Sequence, residues 1–248
     1  MRTAPHRRTA LVAVLGAALA LGTTACGPFS DDAKPAGPFG DLSGSQIVDK
    51  AFAATKDAKS LSADVDLRAP GAPIRGFLSL DTRGKCAGTL TMGATDTVEL
   101  VKNNSKNVYL RFDEAFLRKQ VADENPETQE AALRQLRGRW VKSPASDPDS
   151  RDILALCDLE TLLGKFQPGP SGIAQGAETT VGGRKALPLT APDGNGGSTT
   201  VYVATKGTPY ALKIVVKGGE EPGTIAFSHH GKPVEAKAPA AKDVFTTG

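Results

Sequence analysis

Apolar residues change period twice along this chain. From Ser45 to about Ala58 they fall on one helical stripe, Ile47, Val48, Ala51, Phe52 and Thr55, which predicts an amphipathic helix. From there the spacing drops to two. Val65 and Leu67, Leu78 and Leu80, Leu90 and Met92, Val98 and Leu100, then Val108, Leu110 and Phe112 recur at alternate positions, the pattern of strands with one buried face. Between them lie Ala69-Pro70-Gly71, Thr82-Arg83-Gly84-Lys85 and Asn103-Asn104-Ser105, turn-forming segments that make successive strands antiparallel neighbours. From about Asp113 to Phe166 the spacing returns to three or four, with Phe116, Leu117, Leu133, Leu136, Ile153, Leu154, Cys157, Leu162 and Leu163. That predicts several helices, with Trp140 between them. Alternation resumes at Lys185–Leu189, Val201–Thr205, Leu212–Val216 and Ile225–Phe227.

Strands, helices, then strands predict an α+β fold: one large curved antiparallel sheet, a half-barrel of about 9–11 strands, with helices on its concave face. A sheet that curls around helices too few to fill it leaves an apolar hollow. With only 5% aromatic residues, its lining would be aliphatic. Candidates for the lining are Leu78, Leu80, Leu90, Met92, Leu100, Leu110, Val203, Leu212, Ile214 and Phe227 from strands, with Phe116 and Leu163 from helices. A solid core reads identically, since periodicity does not distinguish the two.

The N-terminus has a different pattern. Arg2, Arg7 and Arg8 precede an uncharged apolar run from Leu11 to Leu21, the layout of an export signal. The run is shorter than the roughly 20 residues a membrane-crossing helix needs. It ends in Leu21-Gly22-Thr23-Thr24-Ala25-Cys26-Gly27, which resembles the lipobox of bacterial lipoproteins; an ordinary cleavage site is the plainer alternative. Residues 1–25 are thus expected to be a signal peptide and Cys26 the lipidated first residue of the mature protein, anchored in the outer face of the cytoplasmic membrane. Arg7-Arg8 also fits twin-arginine export, though a generic basic leader explains it. Residues 26–44, rich in Gly, Pro, Ala, Ser and Asp, read as a flexible tether, and 45–248 as the folded domain.

Charge and cysteine count narrow the chemistry. The leader carries three of the 30 basic side chains and none of the 27 acidic ones, so the mature chain is close to neutral and nothing in its charge calls for nucleic acid. With Cys26 lipidated, Cys86 and Cys157 are the remaining thiols in an oxidising compartment and are expected to pair, closing a loop worth about 4 kcal/mol by chain entropy. His229 and His230 are the mature chain's histidines. Adjacent on a strand they face opposite ways, which disfavours a shared metal ion. There is no Gly-x-Ser-x-Gly, phosphate-binding Gly-Lys-Ser/Thr loop or His-Glu-x-x-His, so no enzyme, cofactor or metal site is expected.

Gly138-Arg139-Trp140-Val141-Lys142, Asn107-Val108-Tyr109-Leu110, the segment Val201 to Lys213, the tail Phe227 to Val234 with Ala238-Pro239, and the lipobox together resemble the actinobacterial LppX/LprG lipoprotein family over about residues 45–246. The resemblance implies a fold like the LolA/LolB carriers, a half-open barrel enclosing a pocket for acyl chains. It implies a lipid or glycolipid ligand, handled in many members beside a membrane transporter; the chain itself is expected to be a monomer. Where relatives place an Asp and an aromatic after Phe-Ser, this chain has His229 and His230, and with the cysteine pair this points to a sub-branch with its own ligand. The alternative is a surface adaptor that binds another envelope protein and transfers no lipid.

Overall fold

A computed structural model describes residues 38–68, 73–103, 106–169, 171–194, 196–219 and 222–245. The expected lipid site Cys26 and leader 1–25 lie outside them. The described chain opens with helix α1 (Gly44–Asp57), held at its start by a reciprocal cap: the Gln46 N–H donates to Ser43 Oγ (3.3 Å) and the Ser43 N–H to Gln46 Oε1 (2.9 Å). Phe39 and Leu42, ahead of the helix, already pack against the core.

Five strands follow in a meander: β1 (Ser60–Arg68), β2 (Pro73–Asp81), β3 (Lys85–Met92), β4 (Asp96–Asn103) and β5 (Asn107–Phe112). Helices α2 (Glu114–Gln120) and α3 (Pro126–Leu136) precede β6 (Trp140–Pro144), and α4 (Pro148–Ala155) and α5 (Leu159–Lys165) come after it. The chain then forms β7 (Ala174–Gln175), β8 (Thr179–Val181), β9 (Arg184–Pro192), β10 (Ser198–Ala204), β11 (Ala211–Lys217), β12 (Gly223–Ser228) and β13 (Val244–Phe245).

All thirteen strands join one open sheet in the order β13-β6-β5-β4-β3-β2-β1-β12-β11-β10-β9-β7, with β8 also on β9. Every pairing is antiparallel except β13 on β6. The nine strands expected from alternation are the nine longest. The other four, β6, β7, β8 and β13, raise the count above the expected 9–11. Trp140, expected between helices, begins β6.

Curvature has a local cause. At Gly88 an added Cβ would sit 2.0 Å from the Phe77 carbonyl oxygen, and at Gly76, 2.1 Å from that of Thr89. The backbones of β2 and β3 approach too closely there for any side chain, which is how glycine lets a sheet bend sharply.

One segment ties the sheet's distant parts together. After Ser228 the chain leaves β12 and next pairs as β13 on the far side of β6, seven strand spacings or roughly 34 Å away along the sheet at about 4.8 Å each. Residues 229–243 form the strap between them, and at Lys232, Pro233, Val234 and Glu235 it lies beside the outward-facing Ser62, Phe77, Ser79 and Ala87. Its start is pinned where the Gly231 N–H donates to the Ser60 carbonyl and Ser60 Oγ to the Lys232 carbonyl, both 2.8 Å. Val234 and Ala236 are buried along it.

Candidate functional site

The middle of the sheet's inner face is a continuous apolar wall. One row of paired residues crosses nine strands as Leu189, Val201, Ile214, Ile225, Val65, Gly76, Leu90, Val98 and Phe112. The next crosses seven as Phe227, Ala63, Leu78, Gly88, Leu100, Leu110 and Val141. Nothing in either row carries a polar side chain, so the wall offers contact and dispersion and no specific hydrogen bond.

Two helices cover it. α1 turns Ile47, Val48, Ala51 and Phe52 to the wall, and α5 contributes Leu159, Leu162 and Leu163, joined by Leu156 and Phe166. Lys56 Nζ meets Glu160 Oε1 at 3.3 Å near one end of the pair, and near the other Gln167 Nε2 donates to Asp49 Oδ1 at 3.2 Å. Both ties are solvent-exposed and each is worth little, about 1 kcal/mol or less. A stronger link is covalent: Cys86 on β3 is bonded to Cys157, just before α5, with Cα atoms 5.6 Å apart. The expected pairing of these two cysteines is present.

A bulge in β11 shifts one candidate off the wall. Tyr202 pairs with Lys213 but Val203 with Ala211, so Leu212 is the extra residue of the β10–β11 ladder. Ala211 and Ile214 face the core, while Leu212 joins a separate cluster with Ala186 and Ala204, bordered by Tyr202 and Tyr210. α1 accommodates the irregularity. Thr55 Oγ1 accepts the Ala211 N–H at 2.9 Å and donates to the Ala51 carbonyl at 2.7 Å, satisfying buried polar groups.

Of the twelve lining candidates, Leu78, Leu80, Leu90, Leu100, Leu110, Leu163, Val203, Ile214 and Phe227 lie buried in one core cluster with α1 and α5. Met92 is half-buried against that cluster, and Phe116 is half-buried and stacked on Phe112 with ring centroids 4.6 Å apart. The expected hollow is thus filled, among the described residues, by the helices' own side chains. Four surface cavities of about 290, 300, 410 and 420 Å³ stand out, and none of the twelve candidates lines any of them. Those of 420 and 300 Å³ both touch Gln167: one runs beside Ser45, Val48 and Ile173, the other beside Phe166, Thr199 and Val216. Two cavities thus meet at Gln167, just past the end of α5, so the helix is undercut there at most from the side of Lys165 and Phe166.

The rim at Phe112 and Phe116 is set by Asp113. Its carboxylate accepts the Phe116 N–H, capping α2, and the Thr97 N–H, both at 2.7 Å. Burial pushes this carboxyl group up, but these bonds and nearby Lys119 outweigh it and hold it below the ordinary range. His230 stacks on Tyr210 with centroids 4.2 Å apart, and His229 is exposed beside Ser228. Burial of the ring, then the charge of Arg184 and the neighbouring His229, hold His230 down to about 4 against a hydrogen bond to the Ala211 backbone. No motif in the sequence points to this stack; it becomes visible only when the strap folds back on β11. No helix among the described residues is long and apolar enough to cross a membrane.

An open antiparallel sheet with two short helices across its concave wall is the half-barrel architecture of the LppX/LprG type. Two solved structures share it: LprF from Mycobacterium bovis, with 15% identity and a TM-score of 0.54 over 80% of this chain and 97% of that one, and the Mycobacterium tuberculosis lipoprotein LppX, with 13% identity and a TM-score of 0.50 over 78% and 98%. At these identities the likeness establishes the fold. No family model matches the chain, and no curated protein is similar to it in sequence.

Proposed function

We propose that this chain is an envelope lipoprotein, anchored through Cys26 on the outer face of the cytoplasmic membrane, that binds lipid or glycolipid acyl chains on the inner wall and carries or presents them. One observation carries the reading: nine strands contribute an unbroken apolar surface whose cover is two short helices, tied by exposed polar contacts and undercut at one end. An acyl chain would enter by displacing α5 from the wall, with Cys86–Cys157 keeping the start of that helix in place.

The energies are commensurate. Lifting Leu159, Leu162 and Leu163 off the wall costs on the order of 6 kcal/mol at roughly 2 kcal/mol each, whereas a chain of a dozen methylenes gains on the order of 10 kcal/mol at about 0.8 each, before ordering costs. Binding of this kind needs no catalytic group.

The filled interior also favours a second reading, an adaptor that docks on another envelope protein and leaves its wall permanently covered. Cross-linking separates the two. In the full chain with Cys26→Ser, Asp49→Cys and Gln167→Cys place thiols across the exposed α1–α5 contact, where a short bis-maleimide reagent joins them without touching the native disulfide. The carrier reading expects the cross-link to weaken binding of a fluorescent acyl probe at least tenfold while a thermal melt shows the fold intact. No uptake before cross-linking leaves the adaptor, whereas uptake unchanged by cross-linking places the probe elsewhere than under α5 and removes the inner-wall carrier reading.

A further inference from the structure

The outer face of the sheet is mostly polar. Outward positions include Asp64 and Asp66 on β1, Thr89 and Thr91 on β3, and Thr190 and Thr200 on β9 and β10. Against this background one recess is apolar. It is a cavity of about 410 Å³ between the strap and strands β1–β3, within the range of about 300–1,000 Å³ usual for small-ligand sites. Phe77 stands in it 43% exposed, the one large hydrophobic residue so exposed among the described residues.

Its walls differ in character. Pro233 and Val234 of the strap form one side, and the small Ala87 side chain with the neighbouring Gly88 backbone leaves the floor beside Phe77 recessed. The floor's hydroxyls, Ser62 and Ser79, bond to each other at 3.0 Å and call for no polar partner. Three polar residues of the strap line the recess: His229, Lys232, which makes no ion pair among the described residues, and Glu235, whose carboxylate is turned to Lys237 at 3.9 Å, so the lysines outnumber the carboxylate here. The two strap bonds to Ser60 fix the Lys232 backbone.

We infer that this recess binds a single-chain amphiphile with an anionic head, of the fatty-acid class, its tail against Phe77, Pro233 and Val234 and its carboxylate at Lys232. An apolar trough with an ammonium group free of any ion pair at its rim, beside a carboxylate already turned to Lys237, complements that chemistry. A neutral chain would leave Lys232 unused, and a cationic one would be repelled by it. The site uses the outer face alone and does not depend on the inner wall.

The test is calorimetric titration of the full chain carrying Cys26→Ser, in detergent-free buffer, with dodecanoate and with dodecyl maltoside, each below its micelle concentration. Saturable dodecanoate binding is expected, with one site remaining when the inner wall is closed by cross-linking. Lys232→Glu should weaken it at least tenfold while changing dodecyl maltoside binding less than twofold, and Phe77→Ser should weaken both. Absence of saturable dodecanoate binding, or binding that survives both substitutions, would overturn the inference. Repeating the titration on the Asp49→Cys, Gln167→Cys cross-linked protein separates the two faces. Retained binding supports the outer site, whereas binding lost on cross-linking places dodecanoate on the inner wall and removes the outer site without harming the carrier reading.

Discussion

His230 shows how a single side chain registers the fold. Its ring is half-buried against Tyr210, its Nε2 has no hydrogen-bond partner, and Arg184 lies 5.7 Å from the Tyr210 ring centre on the same side of the molecule. Folding therefore favours the neutral imidazole, held down to about 4 against an ordinary value of 6.5. Above about pH 6.5 the ring is neutral in both folded and unfolded chains and contributes no pH dependence. As pH falls from 6.5 toward 4 the unfolded chain takes up the proton first, so stability declines over that window and levels off below it. For a half-exposed ring we expect a loss of about 1 kcal/mol. Urea denaturation at pH 7 and pH 4.5 should show it, and His230→Phe, which keeps the stack, should remove that share. An unaltered pH profile in the variant would show that the ring does not couple to folding. None of this is written in the pair His229-His230, because the environment of the second ring comes from residues 20 to 46 positions earlier in the chain.

Among the elements, those with one clean buried face were legible from sequence and those defined by a distant partner were not. α1 announces itself through Ile47, Val48, Ala51 and Phe52, and the nine long strands through period-two burial. β6 shows no clean alternation, with Trp140 and Val141 apolar in succession, and it is half-buried, five residues long and set between helices, so the helical pattern around it dominates. β13 is two residues, paired in parallel with a strand about a hundred positions earlier, and leaves no local signal. Leu212 and Ile214 look like ordinary alternation. Only the bulge, whose freed Ala211 N–H is taken up by Thr55, shows that Leu212 has left the wall. The closeness of β2 to β3 is likewise absent from periodicity, and it makes a sharp demand at Gly88. Gly88→Val would drive carbon atoms into the Phe77 carbonyl oxygen and the Leu78 backbone, so we expect a loss of about 3 kcal/mol. The thermal midpoint should drop accordingly. A variant as stable as the parent would mean the two strands can part at no cost, and the account of the curl would fail.

For the molecule as a whole, the fold places one greasy surface inside and one small recess outside, and runs a strap from the middle of the sheet to one of its edges. Alternation along the strands was enough to predict the inner surface. It carried no information on whether α1 and α5 would fill the concavity, because the spacing of Leu159, Leu162 and Leu163 is the same for a helix that plugs a hollow and for one that lines it. In the structure the helices plug it, so carriage of lipid amounts to a competition between these leucines and an acyl chain for the same wall. That competition is tested most directly by isolating the full chain from bacterial membranes, stripping loosely bound lipid by gel filtration, and extracting the protein with organic solvent for mass spectrometry. The account predicts a long-chain lipid released in roughly stoichiometric amount, beyond any acyl groups that stay covalently attached to the protein. Extracts containing no such lipid, from protein whose melt shows it folded, would contradict it.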